Sequence, residues 1–242
     1  MIYRFTQQEA EPLAMGQLSA SACRSGSPRK RARILSELAG VHPDIRDGVE
    51  LRALVCETDQ FTLEGDILRV EGAAFQARLF SSYRPGDIEK LFLFIACAGI
   101  FEYEREPIFD VYADLWGSAY VDALLELLQR KLERECPPGP GFRLTRAFGP
   151  GFYGMTLQQV GQFFQLLPAG EIGVSLKGTL MIPLKSYTGM YLSLREGLSL
   201  STRDCRDCIG NAAGCAYCRN RPPSSQGDSW ITPSAEKGED EP

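Results

Sequence analysis

The sequence predicts an α+β domain, and three observations predict it. Helical patterns gather in the first and middle parts of the chain, most clearly from Pro107 to about Glu135. Strand-like runs fall at roughly 61–70, 89–97, 142–148, 172–176 and 186–194, without the strand–helix alternation that builds a parallel sheet. The fingerprint of a dinucleotide-binding alternating sheet is also missing. GPGFYG at 149–154 lacks the strand–GxGxxG–helix spacing, and no acidic residue follows at the expected distance. A chain of 242 residues with 44% apolar content is long enough to bury roughly 70% of its unfolded surface without staples.

Taken in order, residues 1–27 show no clear periodicity and end in the small, polar SASACRSGS, so a weakly ordered leader is expected. Ser27-Pro28 opens a helix, because proline at the first position gives up an N–H that would be unpaired there anyway. Ile34, Leu35 and Leu38 form its apolar face and Gly40 its stop. A second helix is expected from Pro43 to about Cys56. The β-rich runs 61–63 and 67–70 around Glu64-Gly65-Asp66 predict a hairpin, and 73–82 a short helix. Glu89–Ala98 reads as a central strand because its apolar content is continuous rather than alternating. After a short helix near 100–106, the long helix carries Val111, Leu115, Ala119, Asp122, Leu125 and Leu128 near a helical period, with Gly117-Ser118 permitting close approach. Pro137-Pro138-Gly139-Pro140 ends it.

Residues 146–191 hold the densest set of signals. Gly149-Pro150-Gly151 forces a turn, since glycine tolerates positive φ and proline fixes φ. Thr156 with Gln159 suggests a capping box for a helix whose apolar face is Leu157, Val160, Phe164 and Leu167. The turn is also the best candidate binding site. Amides freed at Gly149 and Gly151 can meet a carboxylate or an adenine edge, Arg143 or Arg146 can pair with a carboxylate, and Phe152 or Tyr153 can stack on a ring.

Charge and composition exclude several classes. A net charge of −5 argues against a nucleic-acid partner. Most of it lies in residues 224–242, where five acids meet one base, and the segment from Pro222 reads as a disordered acidic tail. The basic cluster Arg29-Lys30-Arg31 with Arg33 reads as a solvated helix face. No run reaches the roughly 18 apolar residues of a membrane span, and the N-terminus lacks a signal-peptide pattern, so a cytoplasmic location is the default. His42 is the sole histidine and precedes Pro43, which demotes hydrolase triads and assigns it a structural role.

Eight cysteines divide into two groups. Cys23, Cys56, Cys97 and Cys136 are scattered and read as ordinary thiols, Cys97 as a core residue. Cys205-x2-Cys208-x6-Cys215-x2-Cys218 forms two CxxC knuckles that can close four thiolates around one centre. Zinc and an iron–sulfur cluster both satisfy that donor set.

The Pro-Gly-aromatic turn, the apolar helix, Ile172-Gly173-Val174 and Met181-Ile-Pro-x-Lys185-Ser-x-Thr188-Gly189 together resemble the activation domain of cobalamin-dependent methionine synthase, especially its stand-alone relatives. The resemblance covers roughly 141–218, more weakly 85–136, and implies a twisted, mainly antiparallel sheet with flanking helices over 28–200 and a separate metal-binding motif over 201–221. It further implies S-adenosylmethionine held by Arg146, Pro150, Gly151, Phe152 and Tyr191, with Asp122 of the long helix near the sulfonium. The family's Leu-Thr-Glu-Ser step reads Leu176-Lys177-Gly178-Thr179 here.

By the same resemblance, the expected function is assistance in trans to the reductive reactivation of a corrinoid-binding protein or methyltransferase module, with the corrinoid carried by that partner and an electron donor as a possible second partner. A redox cluster at the cysteines would suit that role, whereas zinc would fasten the tail. Two alternatives stand beside it: a metal-binding assembly module that retains only the fold, and a methyltransferase acting on another acceptor. The stretch 146–191 offers the latter no obvious general base.

Overall fold

The computed structural model describes residues 1–22, 27–101, 103 and 105–200. Its backbone is a five-stranded, all-antiparallel sheet. The strands are β1 (Ile2–Phe5), β2 (Val49–Thr58), β6 (Ile88–Gly99), β7 (Phe142–Leu144) and β10 (Ser186–Arg195), in the spatial order β1-β2-β6-β10-β7. Three helices, α1 (Gln7–Ala22), α2 (Pro28–Ile45) and α3 (Pro107–Glu135), pack together with one face of the sheet. The other face carries a small sheet of β3 (Thr62–Glu64), β4 (Ile67–Val70) and β5 (Ala73–Gln76), together with α4 (Val160–Leu166). A two-stranded ribbon, β8 (Ser175–Lys177) with β9 (Leu180–Ile182), stands apart. The expected α+β class with a mainly antiparallel sheet is the fold observed.

The central strand explains itself. In β6, Phe92, Phe94, Ala96 and Ala98 enter the core beneath the helices, while Leu91, Leu93, Ile95 and Cys97 enter the opposite core. A strand covered on both faces has no solvent side to make polar, hence the unbroken apolar run.

Three expectations are corrected. Residues 1–22, expected to be part of a weakly ordered leader, are regular structure, since β1 pairs with β2 and α1 buries Ala10, Ala14, Leu18 and Ala22. Tyr3, Ala10, Ala14 and Leu18 belong to the same core as the sheet. A stripe of alanines four apart lets α1 lie close on α3 but gives little hydrophobic contrast. The missed signal is Thr6-x-x-Glu9: Glu9 N–H donates to Thr6 Oγ1 at 3.3 Å and Thr6 N–H to Glu9 Oε2 at 2.8 Å, a capping box. Residues 49–58 form β2 rather than a helix. Leu51, Ala53 and Val55 at alternate positions face the helices, and pairing to both β1 and β6 overrides the helical propensity of Glu, Leu, Arg and Ala. The helix before it runs past Gly40 to Ile45, because Leu38, Val41, His42 and Ile45 are all buried.

His42 has a structural place, as its sequence context suggested. Its ring stacks on Trp116 at 4.1 Å, Nε2 meets the Tyr120 hydroxyl at 2.7 Å, and Nδ1 faces Glu11 at 3.6 Å. Gln7 donates to the same Tyr120 oxygen at 3.3 Å, and Arg46 faces Glu11 at 3.7 Å. Burial lowers the His42 pKa below 6.5, Glu11 opposes that shift and Arg46 adds to it. With its folded pKa lowered, His42 binds fewer protons in the folded state. Its contribution is therefore intact above pH 6.5 and is lost as pH falls through the lower folded value. Denaturant unfolding at pH 7.5 and 5 is expected to show a smaller loss of stability on acidification for His42→Gln than for the parent chain. Equal losses would remove His42 as the source.

Candidate functional site

The groove is built where β7 and the segment after it run beside α3. After Leu144 the chain leaves regular strand pairing, but Thr145 N–H still donates to Leu192 O at 2.9 Å, and Phe148 and Met190 exchange both amide bonds at 3.1 and 2.7 Å. Arg146 and Ala147 are thereby held at the sheet edge, opposite one face of α3. Asp122, Leu125, Glu126, Gln129 and Glu133 recur on that face at helical spacing, and with Arg146 they line a groove of about 490 Å³ that Gln17 of α1 also borders.

A second cavity of about 570 Å³ adjoins it through Gln129, Arg146 and Ala147. Its walls include Arg143, Phe148, Phe152, Tyr153 and Leu198–Leu200. Arg146 lines both cavities, and its guanidinium makes no hydrogen bond or ion pair among the described residues. The other cations are engaged: Arg130 with Glu126 at 2.5 Å, Arg143 with Leu198 O at 2.7 Å. An exposed, unpaired guanidinium is suited to bidentate capture of a carboxylate.

The structure distributes the predicted site residues unevenly. Asp122 and Arg146 come together in one groove, and Arg146 and Phe152 in the next. Phe152 is 48% exposed, open to a stacking ring. Pro150 is buried, and Gly151 takes φ +97°, which only glycine adopts without strain. The Gly151 amide, expected to be free for a ligand, is taken within the turn, as is that of Phe152. Gly151 N–H donates to Met155 O at 2.8 Å, and Phe152 N–H to Gly149 O at 3.0 Å.

Tyr191 lies elsewhere. It is fully buried against Phe94, and its hydroxyl donates to Leu125 O at 2.8 Å, pinning α3 to β10. Residues an even number of positions apart on one strand share a face, so Tyr187 and Tyr191, four apart, both look toward α3. Tyr187 lines neither cavity but lies within electrostatic reach of Asp122. Its pKa is raised above 10, first by burial, then by the charge of Asp122 and by Tyr153. The alternation of Tyr187, Gly189 and Tyr191 was the available signal.

The Lys177-Gly178 step sits in the β8–β9 turn, where Gly178 has φ +65°, and it lines neither cavity. Lys185 reaches α3 instead, with Nζ 2.5 Å from Asp114 and 3.0 Å from Ser118 Oγ. A Cβ on Gly117 would lie 2.8 Å from the Lys185 stem. Thr156 makes no side-chain cap, and Gln159 brackets the Gln76 backbone at 2.7 and 3.0 Å. Cys97 is buried. Cys205, Cys208, Cys215 and Cys218 lie outside the described residues, as does the acidic tail. Among the described residues no cluster of metal-ligating side chains occurs, and no helix is long and apolar enough to cross a membrane.

The fold is a curled antiparallel sheet with flanking helices. The solved structure described as the MetH reactivation domain bound to AdoHcy matches with a TM-score of 0.63 and 12% identity, covering 86% of this chain and 83% of that one. At that identity the likeness is one of fold. No family model matches the chain, and no curated protein matches it.

Proposed function

We propose that this chain binds S-adenosylmethionine in the groove between α3 and the Arg146 segment and assists, in trans, the reductive reactivation of a corrinoid protein or corrinoid-dependent methyltransferase. The observation that carries this reading is the placement of Asp122 and Arg146 on two walls of one groove. The ligand has a carboxylate at one end of its amino-acid moiety and cationic ammonium and sulfonium groups nearby, a pattern that a guanidinium and a carboxylate complement. The aromatic cavity beyond Arg146 can take the adenine against Phe152. The neighbour in fold binds AdoHcy, the demethylated form of the same ligand.

The bound sulfonium would supply the methyl group and an external donor the electron. The role of this chain is to bind and orient, which is where a protein lowers such a barrier. The four cysteines are assigned a metal centre, an iron–sulfur cluster if they deliver the electron and zinc if they only fasten the segment. Iron with acid-labile sulfide in anaerobically purified protein supports the first; one zinc per chain supports the second.

Asp122 distinguishes the charged ligand from its neutral product. Asp122→Asn is expected to weaken S-adenosylmethionine about three- to tenfold in calorimetric titration, and S-adenosylhomocysteine, which lacks the sulfonium charge, much less. Equal weakening of both would show that Asp122 does not face the sulfonium.

A further inference from the structure

We propose that the acidic C-terminal segment, residues 222–242, enters the cavity walled by Arg143, Arg146 and Phe152 and competes there with the ligand. This inference rests on the proposed reading of that cavity as part of the ligand site. Three observations point to it. The first is where the described chain ends: Leu198, Ser199 and Leu200 themselves line the cavity. They are tied to its rim by Arg143 donating to Leu198 O at 2.7 Å and by the Tyr83 hydroxyl donating to Ser199 O at 3.1 Å. Leu200, the last described residue, therefore stands at the mouth of the site.

The second is charge. Arg143 and Arg146 are the only charged side chains among the described residues lining this cavity. The segment carries Asp228, Glu236, Glu239, Asp240 and Glu241 against one Lys237. The third is apolar chemistry. Phe152 is half exposed at the cavity wall, and Trp230-Ile231, directly after Asp228-Ser229, is the one bulky apolar pair of the segment. Thirty residues connect Leu200 to Trp230, enough to span up to about 100 Å, so reach imposes no barrier. A tethered competitor of this kind acts at an effective concentration on the order of millimolar, and even a weak contact then occupies the site.

The test uses the full chain and a full-length variant with all five acids replaced by amides (Asp228→Asn, Glu236→Gln, Glu239→Gln, Asp240→Asn, Glu241→Gln). Calorimetric titration with S-adenosylhomocysteine is expected to give about three- to tenfold tighter binding to the neutralised chain. Unchanged affinity overturns the proposal. Trp230 supplies a readout independent of the ligand, since the other tryptophan, Trp116, is fully buried. The emission difference between the parent chain and Trp230→Phe isolates Trp230. Blue-shifted, acrylamide-protected emission that Arg146→Glu returns to solvent values supports docking in this cavity. Solvent-like emission in the parent chain overturns it, as does protected emission that Arg146→Glu leaves unaltered. If S-adenosylhomocysteine binds neither chain, the proposed function falls, and the Trp230 emission still decides this inference.

Discussion

Gly149→Ala is expected to cost about 3 kcal/mol or more of folding stability, measured by denaturant unfolding. A Cβ at residue 149 would be driven into the Thr188 carbonyl oxygen, with Gly189 Cα 2.9 Å away, and a Cβ on Gly189 would meet the Phe148 carbonyl in turn. Both obstacles are backbone, so no rotamer change relieves them. The two glycines flank the Phe148–Met190 amide pair that holds the Arg146 wall against β10, and separating them opens the groove as well as the sheet. Gly161→Ala in α4 is the matched control. A Cβ there meets nothing within 4 Å, and alanine favours helix over glycine, so that variant is expected to be neutral or slightly more stable. A Gly149→Ala chain as stable as the parent would mean that the two strands do not approach this closely.

Arg146→Ala is expected to weaken S-adenosylhomocysteine binding roughly 10- to 100-fold, the consequence of losing hydrogen bonds between ionised groups. Stability should hardly change, because the side chain is exposed and has no partner among the described residues. Arg146→Lys should fall between, keeping the charge and losing the planar fork. Arg143→Ala should cost less affinity, since that guanidinium is engaged with the Leu198 carbonyl. Titration at millimolar ligand reads all four chains. Absence of heat from the parent chain would remove the proposed function, and equal affinities for parent and Arg146→Ala would remove Arg146 from the site.

Residue type was the legible part of the candidate groove. An arginine beside a Gly-Pro-Gly turn and an acid on a long helix were visible in the sequence, and the fold sets Arg146 and Asp122 across one groove. The turn amides and Tyr191 were legible only as candidates. Whether an amide is free depends on what the next residues do, and Met155 and Gly149 carbonyls take those of Gly151 and Phe152. Whether a tyrosine on a two-faced strand reaches a ligand depends on how the helix above it lies, and α3 captures the Tyr191 hydroxyl with the Leu125 carbonyl.

The sequence by itself determined the α+β class, the doubly covered β6, the 29-residue α3 and the Gly-Pro-Gly turn. Each is written in local pattern: a continuous apolar run, a helical period between prolines, and backbone angles that only certain residues permit. Tertiary structure alone decided that residues 49–58 are a strand, that α1 packs on α3, and that Gln17, Gln129 and Arg146 border the same groove. The reason is that a strand's partners and a small-residue helix's packing surface come from distant parts of the chain. Ala10 and Ala14 acquire their meaning only against α3, and Leu51 and Val55 only between β1 and β6.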